Sequence, residues 1–147
     1  YLIHKSMIIK SAKAIIAFNK KYLLQLRDNK KNIFFPGYWG LFGGRIDKNE
    51  LQNKAVKREI KEETNLNVKV VRKIFTVDFS MIGLKKERNI IYYDCKVLNN
   101  KKIILHEGQK YNFFSFNQIK KLKIVPMDFV AINCHYHRNK NFISFYR

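Results

Sequence analysis

Residues Gly44–Leu66 read GRIDKNELQNKAVKREIKEETNL, and this stretch decides the fold. It holds four glutamates, Glu50, Glu59, Glu62 and Glu63, in a chain with 11 acidic residues against 30 basic ones. Glu59, Glu62 and Glu63 stand at i, i+3 and i+4, the spacing that puts side chains on one face of a helix. Like charges so placed weaken a helix by roughly 0.2–0.5 kcal/mol per pair, so something must offset the repulsion. A hard cation such as Mg²⁺ does so, because it takes carboxylate oxygens and keeps waters for a phosphate substrate. A solvated acidic helix face is the competing account.

The flanks favour a built site. Asn49 with Gln52 three residues on reads as a capping box that starts a helix near Glu50. Opposite the glutamates, Leu51 with Ala55 and Val56 with Ile60 give an apolar face to bury. Asn65 suits a left-handed C-cap. Ahead of the helix, Gly43-Gly44 makes a loop whose backbone approaches a ligand closely.

These residues resemble the Nudix box, in which Gly, five residues, Glu, seven residues and Arg-Glu precede an aliphatic residue, a spacer, Glu-Glu, a spacer, Gly and an aliphatic residue. Gly44, Glu50, Arg58, Glu59, Ile60, Glu62, Glu63 and Leu66 occupy eight of the nine defined positions across 23 residues. Asn65 stands where the last Gly is expected, and Asn tolerates the same left-handed backbone. Every acidic position is retained, which argues against a degenerate copy. The resemblance implies an α/β fold, the Nudix-type α/β/α sandwich around a mixed β-sheet, over a single domain of residues 1–147.

The bulk properties agree with that size. A chain of 147 residues with 46% hydrophobic content supports one core. No run of about 18 apolar residues marks a membrane span, and the opening residues do not read as a secretory leader. Cys95 and Cys134 offer neither a disulfide framework nor zinc spacing, and read as buried free thiols of a reducing cytoplasm. The formal charge of +19 raises a nucleic-acid partner. The lysines are spread along the chain beside abundant Asn, Ile, Phe and Tyr, however, which fits the codon usage of an AT-rich genome. Weak nucleic-acid affinity and attraction for polyanionic substrates are what the charge alone supports.

Along the chain, Met7 to Phe18 and Tyr22 to Arg27 read as a hairpin around Asn19-Lys20-Lys21. A polar loop at Asp28 to Asn32 leads to Phe34-Phe35-Pro36-Gly37-Tyr38-Trp39, a turn among four aromatics that either stack on a nucleobase or cover the core edge. Trp39 to Arg45 reads as one strand entering the box. Beyond the helix, Val68 to Phe79 alternates as a strand, Lys85-Lys86-Glu87-Arg88 reads as a charged turn, and Ile90 to Val97 as the next strand. Asn99-Asn100-Lys101-Lys102 reads as a loop, Lys110 to Phe116 as a strand and Asn117 to Leu122 as a short helix. Pro126 suits the first position of a final helix reaching about His137. His135 and His137 are two apart on it and make a poor metal pair.

The resemblance implies hydrolysis of a nucleoside diphosphate linked to another moiety, with Mg²⁺, or Mn²⁺, as cofactor. Pyrophosphate is strongly anionic, so attack by water needs cations on its oxygens. Glu59 and Glu63 are expected to hold the metal, Glu62 to serve as a further ligand or to orient water, and the Gly44 carbonyl to add an oxygen. Arg58 and Glu50 are expected to pair and fix the loop on the helix. Glu107, in His106-Glu107-Gly108-Gln109, resembles the Glu-Gly-Gln segment of mutator-type members and is a candidate general base, against a solvated loop carboxylate. Asp128 falls where those members read a purine, and is equally a carboxylate placed by the helix dipole. Arg45 and Arg27 are phosphate candidates, Arg27 reading better as a surface charge; Trp39 is the aromatic candidate. The substrate class is a (deoxy)nucleoside triphosphate or a nucleotide sugar. Removal of an RNA 5′ cap and nucleotide sensing without turnover are the alternatives, and a homodimer is within the family's habit.

Overall fold

The computed structural model describes residues 7–80, 86–98 and 102–138. Its elements run β1 (Met7–Phe18), β2 (Lys21–Leu26), β3 (Trp39–Gly40), β4 (Phe42–Arg45), α1 (Gln52–Thr64), β5 (Val68–Ser80), β6 (Lys86–Val97), β7 (Lys110–Ser115), α2 (Phe116–Ile119) and α3 (Pro126–Arg138). β1 organises the sheet. It pairs antiparallel with β4 on one side and parallel with β6 on the other, and β5 closes that edge antiparallel to β6. The β1–β2 hairpin carries the chain over to β2, which β3 and β7 flank. The sheet is mixed, as expected.

Alternation along β1 divides the interior. Ala12, Ala14 and Ile16 face α1 and cluster with Val56, Ile60, Phe42 and Ile91. Ile15 faces the other way and packs with Ile119 of α2, Ala131 and Ile132 of α3, and Tyr92. Period-two side chains thus give each face of one strand its own helix layer, the α/β/α sandwich. Among the described residues, no helix is long and apolar enough to cross a membrane.

Several expectations need correcting. The helix starts at Gln52, not near Glu50: Leu51 is the N-cap, with no side-chain cap bond, and is 61% exposed instead of buried. Asn49 cannot cap it, because Asn49 sits at φ 65° inside a turn closed by Glu50 N donating to the Asp47 carbonyl. Trp39 to Arg45 is two short strands, broken where Leu41 N donates to Asp128 Oδ2 at 2.9 Å. Lys86-Glu87-Arg88 is strand, since ladders to β1 and β5 on both sides outweigh its charge. Lys85 and, of the expected loop at Asn99–Lys102, all but Lys102 lie outside the described residues. Cys95 is buried, but Cys134 is exposed. The left-handed C-cap at Asn65 is present, its N–H donating to the Lys61 carbonyl.

Candidate active site

The acidic end of α1 is held in place from both sides. Arg58 donates through Nε and Nη2 to the two oxygens of Glu50, at 2.7 and 2.9 Å, and through Nη2 to the Arg45 carbonyl. This fork clamps the loop ahead of α1 onto the helix, the arrangement in which an Arg–carboxylate pair is strongest. The Arg58 guanidinium pulls the Glu50 carboxyl down to about 2, helped by the Asp47 N–H. Glu50 in turn raises Arg58 above its ordinary range. Arg58 Nη1 also reaches Glu59 at 3.0 Å and Glu62 at 3.1 Å, so one cation gathers three of the four glutamates.

Glu63 lies deeper. It is 4% exposed and accepts from the Gly43 N–H at 3.1 Å. Burial first, then the neighbouring carboxylates of Glu107 and Glu59, push its carboxyl up to about 11. Burial likewise raises Glu59. A Cβ at Gly44 would meet the Glu59 carboxylate and displace it.

The segment at 104–109 reaches this cluster through backbone bonds. Ile104 N and His106 N donate to the Thr64 and Glu63 carbonyls, filling acceptors that the end of α1 leaves open. Gln109 N then donates to the Leu26 carbonyl. Between these anchors Gly108 turns at φ 79°, with Gln25 Oε1 and the Leu26 carbonyl where a Cβ would sit. Glu107 is thereby brought to Glu63, although 44 positions separate them in sequence.

Among the described residues, no three His, Cys, Asp or Glu side chains form a ready-made cation cage. Arg58 draws Glu59 and Glu62, while Glu63 turns to Gly43. The chemistry of the set nevertheless fits a hard divalent ion. Its donors are oxygens alone, and a carboxyl raised by burial and by like charges is relieved by a cation. Glu59, Glu63 and Glu62, the Gly44 carbonyl and Glu107 are the groups available to hold one.

Gly43, Gly44 and Glu107 also line a cleft that opens on the α3 face of the sheet, together with Lys13, Arg27, Arg45, Phe34, Phe35 and Arg88. Arg27 is not a free surface charge: it is half-buried there, its Nε donating to the Phe34 carbonyl at 3.0 Å. Trp39 lies outside the lining, edge-on to Phe114 with ring centres 4.8 Å apart, so it covers the core edge. Asp128, in the first turn of α3, is fully buried and committed: it accepts from Lys13 Nζ at 3.0 Å, the Leu41 N–H and Tyr92 OH at 2.6 Å. Through this pair it fixes Lys13, which lines the cleft. Arg88 was not legible as a cleft residue, since its sequence neighbours read as a turn; the alternation of Arg88, Ile90 and Tyr92 is the signal that points it there.

A cleft with cations along it and a buried carboxylate at its glycine turn suits a phosphate-rich substrate. The NUDIX domain model matches residues 9–132, and the chain belongs to the Nudix hydrolase family. Members act on pyrophosphate-containing compounds and generally use divalent metals. The chain is 39% identical over 54 residues to the oxidized purine nucleoside triphosphate hydrolase of Danio rerio, and 35% identical to that of Mus musculus. Each match covers 37% of this chain and 35% of the relative, so it is a match of a segment. The fold is similar to a MutT protein from Methanosarcina mazei Go1, with TM-score 0.74, 24% identity and coverage of 93% of this chain and 97% of that one. It is also similar to a C. elegans Ap4A hydrolase, with TM-score 0.72, 20% identity and coverage of 90% and 98%.

Proposed function

We propose that this chain is a Mg²⁺-dependent pyrophosphohydrolase of (deoxy)nucleoside triphosphates, with nucleotide sugars the next class and Mn²⁺ the alternative ion. The observation that carries this is the buried Glu63, beside Glu59 and Glu107, at the glycine turn where the cationic cleft begins. The segment shared with two oxidized purine nucleoside triphosphate hydrolases favours the triphosphate over the sugar.

In this reading Glu59 and Glu63 hold the ion, Glu62 supports it and the Gly44 carbonyl adds a ligand. A divalent ion held by these groups would neutralise pyrophosphate oxygens and lower the pKa of the attacking water. Glu107 takes the proton of that water, being the carboxylate that both lines the cleft and abuts Glu63. Arg45 and Arg27 bind phosphate oxygens, and the Arg58–Glu50 fork keeps the loop in register with α1.

The test is a hydrolysis screen with and without Mg²⁺, products separated by chromatography. Its panel holds nucleoside triphosphates, oxidised dGTP, ADP-ribose, GDP- and UDP-sugars, dinucleoside polyphosphates and capped RNA. One preferred triphosphate cleaved only with the metal is the expected result. Binding without turnover across the panel would make the chain a nucleotide sensor, and cleavage of capped RNA alone would make it a decapping enzyme.

A further inference from the structure

β4, β1, β6 and β5 lie side by side, and the cleft crosses all four, from Gly43 through Lys13 and Ile90 to Phe79. With strands about 4.8 Å apart, that makes a floor about 14 Å across. Glu63 and Glu107 stand at the β4 end, where Glu63 takes the Gly43 N–H. Phe34 and Phe79, edge-on at 5.5 Å, stand towards the β5 end. A nucleotide whose phosphates meet the carboxylate end therefore lays its base over β1 and beyond, towards the rings.

On β1 the base meets Lys13. Its Nζ lies 3.0 Å from each oxygen of Asp128, and among the described residues that carboxylate is its hydrogen-bond partner. An ammonium has three donors, so one N–H is left for whatever fills the cleft. The side chain is 12% exposed, enough to be reached. Asp128 itself cannot read a base. It is fully buried, and Lys13, the Leu41 N–H and the Tyr92 hydroxyl occupy both its oxygens.

The Lys13–Asp128 pair has no net charge, so it draws phosphate less strongly than Arg27 or Arg45, neither of which has an acidic side chain in ion-pair contact among the described residues. What Lys13 offers is one N–H whose place is fixed before a ligand arrives, because two further bonds anchor Asp128. The hydrogen-bonding side chains around it are mostly donors too. Arg27, Arg45 and Arg88 only donate, the buried Ser11 hydroxyl does either, and Glu107 stands against Glu63. A carbonyl oxygen on the base edge gains a bond there. An exocyclic amino group sets N–H against N–H.

We propose that Lys13 is a specificity-determining residue whose free N–H donates to the exocyclic carbonyl of the base, so that keto bases (hypoxanthine, guanine, uracil, thymine) are favoured over adenine and cytosine. This deepens the pyrophosphohydrolase reading and rests on it for the placing of the phosphates.

Two matched pairs change this edge and little else. ITP and ATP differ at position 6 of a purine, UTP and CTP at position 4 of a pyrimidine. In the pair that is turned over faster, the keto member is expected to have a kcat/KM higher by about tenfold, chiefly through KM. A ratio near one, or a preference for the amino member, overturns the proposal. Lys13→Met alone would strand the Asp128 charge in the interior, so it is combined with Asp128→Asn, whose amide oxygen keeps the Leu41 N–H. That double variant is expected to bring the ratio near one, and Lys13→Arg to retain part of it. A loss shared alike by both members, with the ratio unchanged, overturns the proposal.

Should the double variant not fold, the test passes to the ¹⁵Nζ signal of Lys13, assigned through Lys13→Arg. A shift larger with the keto member supports the contact; equal shifts overturn it. Calorimetric titration of the four nucleotides into Glu63→Gln reads the base preference without turnover. Tighter keto binding, with no hydrolysis by the wild type, removes the pyrophosphohydrolase reading and keeps the Lys13 contact. Equal affinities, or none measurable, remove the contact whatever the turnover.

Discussion

In the proposed reaction Glu63 holds the metal, and its surroundings say what replacement does. A Gln keeps an oxygen for the Gly43 N–H and fills the same volume, so the fold is expected to survive. What disappears is the carboxylate. Glu63→Gln should leave the circular dichroism spectrum unchanged and lower Mg²⁺-dependent turnover by about two to four orders of magnitude. Near-normal activity would remove Glu63 from the metal set. Glu50 yields a different prediction, because both its oxygens are taken by the Arg58 fork. Its carboxyl titrates near 4.5 when unfolded and about 2 when paired with Arg58. A lowered folded value means the unfolded state binds the proton first, so the pair's contribution is whole above pH about 4.5 and is lost as pH falls towards 2. Thermal melts in that window should fall less steeply with acid for Glu50→Gln than for the wild type; parallel slopes would show that the fork does not stabilise the fold.

At the scale of elements, α1 is held at its end and neglected at its start. Thr64 Oγ1 donates to the Ile60 carbonyl at 2.6 Å and accepts from Leu66 N, Asn65 closes the cap, and the 104–109 segment fills the next two carbonyls. The N-cap, by contrast, is an exposed Leu51 with extended backbone, φ −69° and ψ 140°, and its first turn has no acidic residue. An Asp at that position supplies both a side-chain acceptor and a charge that suits the dipole. Leu51→Asp is therefore expected to stabilise the protein by about 0.5–2 kcal/mol, read as a raised urea midpoint at unchanged slope. A lowered midpoint would mean that the Leu51 side chain is needed where it lies. The helix itself was legible, because Val56, Ile60 and the three glutamates sit at helical spacing. Its start was not, since Asn49 and Gln52 carry the right chemistry for a cap while the Glu50 turn, made by contact with Arg58, decides otherwise. Arg88 was hidden for the same kind of reason: it ends a run of charged residues that reads as a turn, until strands on both sides pair with Glu87 and Arg88. The Lys13–Asp128 contact spans 115 positions, and nothing local announces it.

On the whole molecule, the charge of +19 meets a cleft that is itself lined by Lys13, Arg27, Arg45 and Arg88. Spread over the surface, the charge says little about partners, as the composition already implies. Focused into the cleft, it acts on any phosphate substrate before contact, and that action has a range set by salt. The Debye length falls from about 30 Å at 0.01 M to about 10 Å at 0.1 M and 3 Å at 1 M. At low salt a polyanion therefore feels the whole basic surface, whereas at high salt it feels only the guanidiniums within reach. Steered association then slows while the bound complex, shielded by the cleft walls, changes less. The expected outcome is a kcat/KM for a nucleoside triphosphate that drops steeply with added NaCl at saturating Mg²⁺, with kcat nearly constant. Repeating the series on Arg45→Gln separates the two contributions, since Arg45 is exposed at the cleft mouth. Its removal should lower kcat/KM at every salt concentration and change the salt slope little if the dispersed lysines do the steering. A slope that flattens with that one substitution would place the steering in the cleft itself and make the remaining surface charge a bystander.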